Sequence, residues 1–372
     1  MYIYFVEIVM NKLAIFLSSL DGGGAERVML NLAYGFAIKG IHVDLLLVKA
    51  EGPYLAQIPS NINLINFNKS KLFQSLPTLI RYIRKESPTA LISALEDTNF
   101  IMLWACRLAG SRTQSVVTVH NQLSIEAKHA TQLKRKLTPT LVSYFYPWAD
   151  KVVAVSKGVA ADLMQIGVPK EKIDVIYNPI LTDDLTTKLQ ESVEHPWLKP
   201  GEPPVILAVG RLTEQKDYPS LLRAFARARQ LQKIKLIILG EGEDRVALEA
   251  LAHTLNIADD IDFPGFVSNP YAYMAKATAL ILTSAWEGFG NVLVEAMAAG
   301  TSVIATNCKS GPAEILAHGE YGSLVQVADI EGIASAITNV IHSPSESLKL
   351  KKRASDFSLK AALEKYQKVL SL

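Results

Sequence analysis

The sequence predicts an α/β protein of two domains, each a doubly wound and mostly parallel sheet, and three observations carry that expectation. The chain has 372 residues, too many for one ordinary core, so two domains of roughly 170 to 190 residues each are expected. Short apolar runs alternate with helical patterns through both halves, as βαβ units require. Glycine turns follow the opening run of each half, at Asp21-Gly22-Gly23-Gly24 and at Gly210, where a strand would feed a helix.

In the first half the candidate strands are Leu13–Ser18, Ile41–Val48, Ile62–Phe67, Thr89–Leu95, Ser115–Val119 and Lys151–Val155, with the helical pattern Ala25–Ile38 closing the first βαβ unit. A polar, proline-containing connector follows Tyr177-Asn178-Pro179 and ends at Pro204. The second alternation runs Val205–Val209, Lys235–Leu239, Ile261–Phe263, Ala277–Thr283, Ser302–Thr306 and Ser323–Val327. The expected division is residues 1–183, a linker 184–203, residues 204–353, and a terminal helix 354–372 packing back on the first domain through Phe357, Leu363, Tyr366 and Leu370. Two Rossmann-like sheets of this kind hold ligands at the carboxyl ends of their strands, in a cleft between the domains.

Composition narrows the class. With 49% apolar and 20% charged residues the composition fits a globular enzyme rather than a disordered or fibrous chain. Cys106 and Cys308 are the two cysteines, too far apart to suggest a disulfide framework or a structural zinc site, so a reducing, cytoplasmic compartment is expected. Met1 to Leu17 is apolar but broken by Glu7, Asn11 and Lys12, which makes it neither a signal peptide nor a membrane span and leaves residues 1–9 open as an extension outside the fold. Residues 1–180 carry 19 Lys and Arg against 13 Asp and Glu, and residues 181–372 carry 19 against 23. A basic first half and an acidic second half imply different partners, and no nucleic acid is expected among them.

The most informative motif is Ala285-Trp-Glu-Gly-Phe-Gly-Asn-Val-Leu-Val-Glu-Ala-Met-Ala-Ala-Gly300. Glu287 falls in a glycine-bracketed loop after an apolar run and Glu295 on the helix that follows, with Asn291 as the expected N-cap and Gly300 as the stop. A helix N-terminus binds negative charge, and carboxylates around it accept hydrogen bonds from hydroxyls, a combination suited to a phosphorylated sugar. Arg211 and Lys216, after the Val205–Val209 strand, are two cations able to converge on a diphosphate without a metal. The Gly22–Gly24 loop lets the backbone approach an oxyanion, although Arg27 stands where a dinucleotide fingerprint needs glycine and the phosphate-loop ending is missing. Neutral His120, at a strand end, is expected to donate a hydrogen bond to a sugar hydroxyl or to help position reactants. Gly240, Phe266 and Val267 lie in turns that suit a nucleobase as well as they suit ordinary turn chemistry. Asp259, Asp260 and Asp262 read as turn and strand-face residues rather than as a metal pair, and no metal or other cofactor is expected.

Two basic stretches, one with Lys71, Arg81, Arg84 and Lys85, the other with Lys128, Lys134, Arg135 and Lys136 ahead of Tyr144, Phe145, Tyr146 and Trp148, fit an anionic membrane surface.

Taken together, Gly22-Gly-Gly-Ala-Glu-Arg-Val28, Val153-Ala-Val-Ser156, Ile176-Tyr-Asn-Pro179, Gly210-Arg-Leu with Lys216, and the Glu287/Glu295 pair resemble, in order and over nearly the whole chain, the family-4 retaining glycosyltransferases of the GT-B fold. The resemblance implies that Glu287 contacts the donor sugar and Glu295 the ribose. It implies that Arg211 and Lys216 bind the diphosphate, and that amides from Phe289, Gly290 and Asn291 to Val292 and Leu293 contact sugar and phosphate. The glycine loop would face the diphosphate, and His120 matches a family position at the sugar. The leading motif and Ser310-Gly-Pro-Ala-Glu-Ile-Leu316 look most like bacterial enzymes that extend lipid-linked or surface glycans, several of which use UDP-N-acetylhexosamines.

The expected activity is therefore transfer of a hexose or N-acetylhexosamine, UDP-linked, to a hydroxyl of a polyprenyl-diphosphate-linked or other membrane glycan. The resemblance further implies retention by front-face departure and attack. The enzyme would be peripheral on the inner face of the cytoplasmic membrane. Glu96, Asp97 and Asn99 are acceptor candidates from position alone. The competing readings are a sugar-nucleotide epimerase or hydrolase on the same fold, a dinucleotide-dependent dehydrogenase, and a non-catalytic glycan-binding module.

Overall fold

The computed structural model describes residues 11–372; the question of an extension over residues 1–9 lies outside them. The chain forms two compact units, one running to Val155 and taking in Val159–Pro179 and Leu359–Leu372, the other made of Ser156–Gly158 and Ile180–Ser358.

The first unit is a seven-stranded parallel sheet of β1 (Lys12–Leu17), β2 (His42–Leu47), β3 (Asn63–Asn66), β4 (Ala90–Ala94), β5 (Gln114–Val119), β6 (Lys151–Ala154) and β7 (Ile173–Val175), in the order β3-β2-β1-β4-β5-β6-β7. The interior strands are runs such as Leu13-Ala-Ile-Phe-Leu17 that are buried throughout, as a sheet covered on both faces demands. Strand β7 is absent from the sequence expectation: three half-buried residues at a sheet edge leave almost no periodic signal.

The second unit has six parallel strands, β8 (Val205–Val209), β9 (Lys235–Leu239), β10 (Ile261–Gly265), β11 (Ala279–Leu282), β12 (Ser302–Thr306) and β13 (Ser323–Val325), ordered β10-β9-β8-β11-β12-β13. In both sheets the order reverses between the first strand and its later neighbour, β1 beside β4 and β8 beside β11. That reversal opens a crevice at the carboxyl ends, where such sheets bind ligands.

The stretch expected as a linker is folded onto the second unit. Helix Leu185–Gln190 packs on helix Pro270–Met274, and buried His195 bonds Asp262 at 2.9 Å while its other ring nitrogen accepts from Trp197 N at 3.2 Å. Helix Ser347–Ala354 packs on helix Asn291–Ala299. The terminal helix therefore begins at Leu359, not Ala354, and it belongs to the first unit. Its Leu359, Ala362, Leu363, Tyr366 and Leu370 join the core beneath helix Gly24–Ile38.

Candidate functional site

In the second unit the loop after β8 and the loop after β11 meet at the order reversal. Lys216 ends a short 3-10 turn after Gly210-Arg-Leu, and its Nζ donates to Glu287 Oε1 at 2.5 Å. Glu287 is 6% exposed, so this is a nearly buried ion pair and each charge depends on the other. The loops are stitched by Ala285 N donating to Gln215 O at 2.8 Å, Gln215 Nε2 to Trp286 O at 3.0 Å and Thr283 Oγ1 to Lys216 O at 2.9 Å. Burial and the Glu287 charge together push the neighbouring Cys308 thiol up to about 12, so it is an inert thiol at neutral pH.

The helix expected after this loop is Asn291–Ala299, but its N-cap is Gly290 rather than Asn291. Gly290 has φ +100°, a left-handed conformation that glycine adopts without strain and that asparagine would hold less readily. Asn291 is thus the first helical residue. Val292 follows it, and Leu293 N already donates to Gly290 O at 3.0 Å, which removes Leu293 from the amides available to an anion. Glu295 sits half-buried on the same helix. Phe289 is buried, its ring edge-on to Phe357 at 5.5 Å, so its side chain serves packing. The Arg211 side chain is exposed. Gly240 lies against the turn at Gly210, where an added Cβ would meet Gly210 O at 2.0 Å. Phe266, one residue beyond β10, is 56% exposed, and Val267 is half-buried.

The acidic stretch before β10 is consumed by structure. Asp260 pairs with Arg229 and with Lys235 at 2.8 Å, and Asp262 with His195. Among the described residues no group of three or more His, Cys, Asp or Glu side chains is arranged to hold a metal ion.

In the first unit, Gly22 to Gly24 follow β1 and lead into helix Gly24–Ile38; Tyr54 OH donates to Gly22 O at 3.0 Å and Arg27 lies over the Tyr54 ring. Glu96 and Asp97 open helix Glu96–Ala109 directly after β4. Burial, with the Glu126 charge next, raises the Glu96 carboxyl to about 7. Asp97 is exposed and pairs with Lys134 at 2.7 Å. Asn99 is fully buried: it accepts from Ser93 Oγ at 2.6 Å and donates to Thr118 O and Tyr146 OH. Its amide serves the core, which takes it out of the acceptor set.

His120 stands at the end of β5, its Nε2 2.9 Å from Thr118 Oγ1. The Thr118 hydroxyl gives its single proton to Ser93 O at 2.9 Å, so it faces the imidazole as an acceptor and Nε2 must carry the ring proton. Burial pushes the imidazole down to about 4, leaving it neutral at physiological pH with Nδ1 as an acceptor. The expectation of a donating His120 is thereby corrected at Nδ1, which carries no proton to give. A 15N NMR titration is expected to find the Nε2–H tautomer from pH 8 down to about 5. Between 6.5 and about 4 the unfolded chain binds a proton that folded His120 does not, so stability falls as pH falls through that window. His120→Asn should lack that part of the acid destabilisation.

Of the four aromatics expected at a membrane surface only Tyr144 is free, at 73% exposure. Tyr146 is buried, and Trp148 packs edge-on against both Phe145 and Trp104, with Phe145 tilted on Trp104. Phe145 and Trp148 are half-buried in this ring cluster, which sequence spacing alone does not distinguish from an exposed face.

Known proteins share this architecture and resemble the chain in sequence. A family model described as Glycosyltransferase Family 4 matches residues 22–184, and one described as Glycosyl transferases group 1 matches residues 190–357. A Campylobacter jejuni protein named N-acetylgalactosamine-N,N'-diacetylbacillosaminyl-diphospho-undecaprenol 4-alpha-N-acetylgalactosaminyltransferase is 35% identical over 86% of this chain and 87% of its own length. The lipopolysaccharide core biosynthesis glycosyltransferase LpsE of Rhizobium meliloti is 28% identical over 94% of this chain and 96% of its own. Among solved structures, HepE of Anabaena in complex with UDP-glucose superposes with a TM-score of 0.80 at 22% identity, covering 97% of this chain and 99% of that one. Likeness at that identity speaks to the fold alone.

Proposed function

The chain belongs to the glycosyltransferases, family 4 in its first half and group 1 in its second, and we propose that it moves a hexose or N-acetylhexosamine from a UDP-linked donor to a hydroxyl of a lipid-linked or surface glycan, with retention at the anomeric carbon. The observation that carries this reading is the pairing of Lys216 with Glu287 at the order reversal of the second sheet, beside Arg211 and a helix N-terminus. An ammonium has three donors, so a cation held there can bond a diphosphate while it keeps the carboxylate in place to take a sugar hydroxyl.

In the proposed step the bond from the anomeric carbon to the diphosphate oxygen breaks while the acceptor oxygen bonds to the same face. The acceptor proton passes to the departing phosphate. Lys216, Arg211 and the amides of Asn291 and Val292 neutralise the leaving charge without reorganising. Glu295 takes the ribose, Gly240, Phe266 and Val267 frame the base, and the Gly22–Gly24 loop and His120 serve diphosphate and sugar. Glu96 and Asp97 are the acceptor candidates that remain. The name of the Campylobacter jejuni relative supports an N-acetylhexosamine donor and a polyprenyl-diphosphate-linked acceptor.

We also propose that the protein works peripherally on the inner face of the cytoplasmic membrane. Among the described residues no helix is long and apolar enough to cross a membrane. Residues 131–137 are all exposed and set Lys134, Arg135 and Lys136 between Leu133, at 71%, and Leu137, at 47%. Cations flanked by free apolar side chains suit anionic headgroups. The triple variant K134Q/R135Q/K136Q is expected to bind phosphatidylglycerol vesicles about a hundred-fold more weakly, at about 1 kcal/mol per cation, with wild-type binding falling as salt rises. Equal binding of the two proteins in a vesicle sedimentation assay counts against this surface.

Incubating the protein with a panel of UDP-, GDP- and ADP-sugars, with and without an undecaprenyl-diphosphate-linked glycan, tests the donor. Acceptor-dependent release of UDP supports the reading. Isomerisation of the sugar nucleotide without an acceptor supports an epimerase instead.

A further inference from the structure

The Glu287 carboxylate is held by more than a lysine, and the way its two oxygens are used is uneven. Lys216 Nζ and Ser284 Oγ both donate to Oε1, at 2.5 and 2.7 Å. Oε2 has no hydrogen-bond partner among the described residues. A carboxylate oxygen offers about two acceptor directions, so Oε1 is filled and Oε2 remains for a ligand.

The main chain of the same residue is fixed separately. Ser310 Oγ donates to Glu287 O and lies 3.4 Å from Gly288 O. Next to it, Gly311 adopts φ +85°, and a Cβ there would sit 1.9 Å from Phe289 O, so the backbone after β12 lies directly on the Glu287 loop. Ser284 is itself anchored, because its carbonyl accepts from Thr306 Oγ1 at 2.6 Å.

We propose that Ser284 and Ser310 are positioning residues that orient Glu287 and divide its carboxylate, Oε1 for the protein and Oε2 for a sugar hydroxyl. The proposal rests on the reading of Glu287 as the group that contacts the donor sugar. Ser284 is 0% and Ser310 3% exposed. A buried hydroxyl is costly unless bonded, and an apolar side chain would fill either space at less cost. Both hydroxyls spend their proton on Glu287. With Lys216 alone, an ammonium with three freely rotating donors could bridge both oxygens or follow the carboxylate as it turns. A second donor on the same oxygen selects that oxygen and opposes the rotation.

The test uses S284A and S310A, each alone and in an E287A background, with three readouts: calorimetric binding of UDP, single-turnover consumption of UDP-GlcNAc and UDP-GalNAc, and a crystal structure of S284A. UDP does not reach a sugar-side carboxylate, so its affinity is expected to stay at the wild-type value in both variants, which a disrupted fold would not allow. Loss of one hydrogen bond to a charged group should lower sugar turnover by about ten- to a hundred-fold. In the E287A background neither serine should cost anything more, since each acts through Glu287. An undiminished loss in that background, or a parallel loss of UDP binding, overturns the proposal. If wild-type protein consumes no UDP-sugar, the donor reading fails on its own. The S284A crystal structure then decides: a carboxylate turned away from its single-oxygen contact supports positioning, and an unmoved one overturns it.

Discussion

Glu287→Ala is expected to lower sugar transfer by about a hundred- to a thousand-fold, the range seen when a preorganised electrostatic contact is removed from an active site. The carboxylate is 6% exposed and carries two donors on one oxygen, so its orientation is set before a ligand arrives. An interaction already in place costs no reorganisation when the reaction occurs, and its loss should fall chiefly on kcat. UDP binding should survive, because the diphosphate cations remain. Wild-type turnover in E287A would remove Glu287 from the site.

Lys216→Met is expected to do more damage to stability than E287A does. Removing the lysine leaves the Glu287 carboxylate nearly buried without its cation, a change that typically costs about 3–5 kcal/mol. For a domain of this size that corresponds to a fall in Tm of roughly 6 to 20 °C. The double variant K216M/E287L takes both charges away together, so it should recover most of that loss while remaining inactive. Thermal unfolding of the three proteins separates the pair's structural role from its chemical one. If K216M/E287L unfolds as early as K216M, the pair does not account for the destabilisation.

Much of this site is legible in the sequence. Lys216 and Glu287 lie 71 residues apart, yet each follows an apolar run and sits beside glycines, and strand ends in a doubly wound sheet converge on the order reversal. What escapes the sequence is what depends on tertiary neighbours. Ser284 and Thr306 are ordinary hydroxyl residues at strand ends, and nothing local says which loop they bond. Asn291 is a good N-cap by type, but the chain needs a left-handed residue one position earlier, and Gly290 supplies it. Asn99 shares a helix face with core positions, and only the packing of Ser93, Thr118 and Tyr146 around it shows that its amide is spent. Tyr146 follows basic residues in sequence but turns inward, where large rings stabilise most. The His120 tautomer depends on the direction of one threonine proton.

The most direct test is the anomeric outcome and Glu287 dependence of transfer from an α-linked UDP-N-acetylhexosamine to an undecaprenyl-diphosphate-linked glycan, read by NMR of the product. A retaining transfer that relies on Glu287 gives an α-linked product from the wild-type protein and a yield at least about a hundred-fold lower from E287A. A β-linked product, or equal yields from the two proteins, would contradict it.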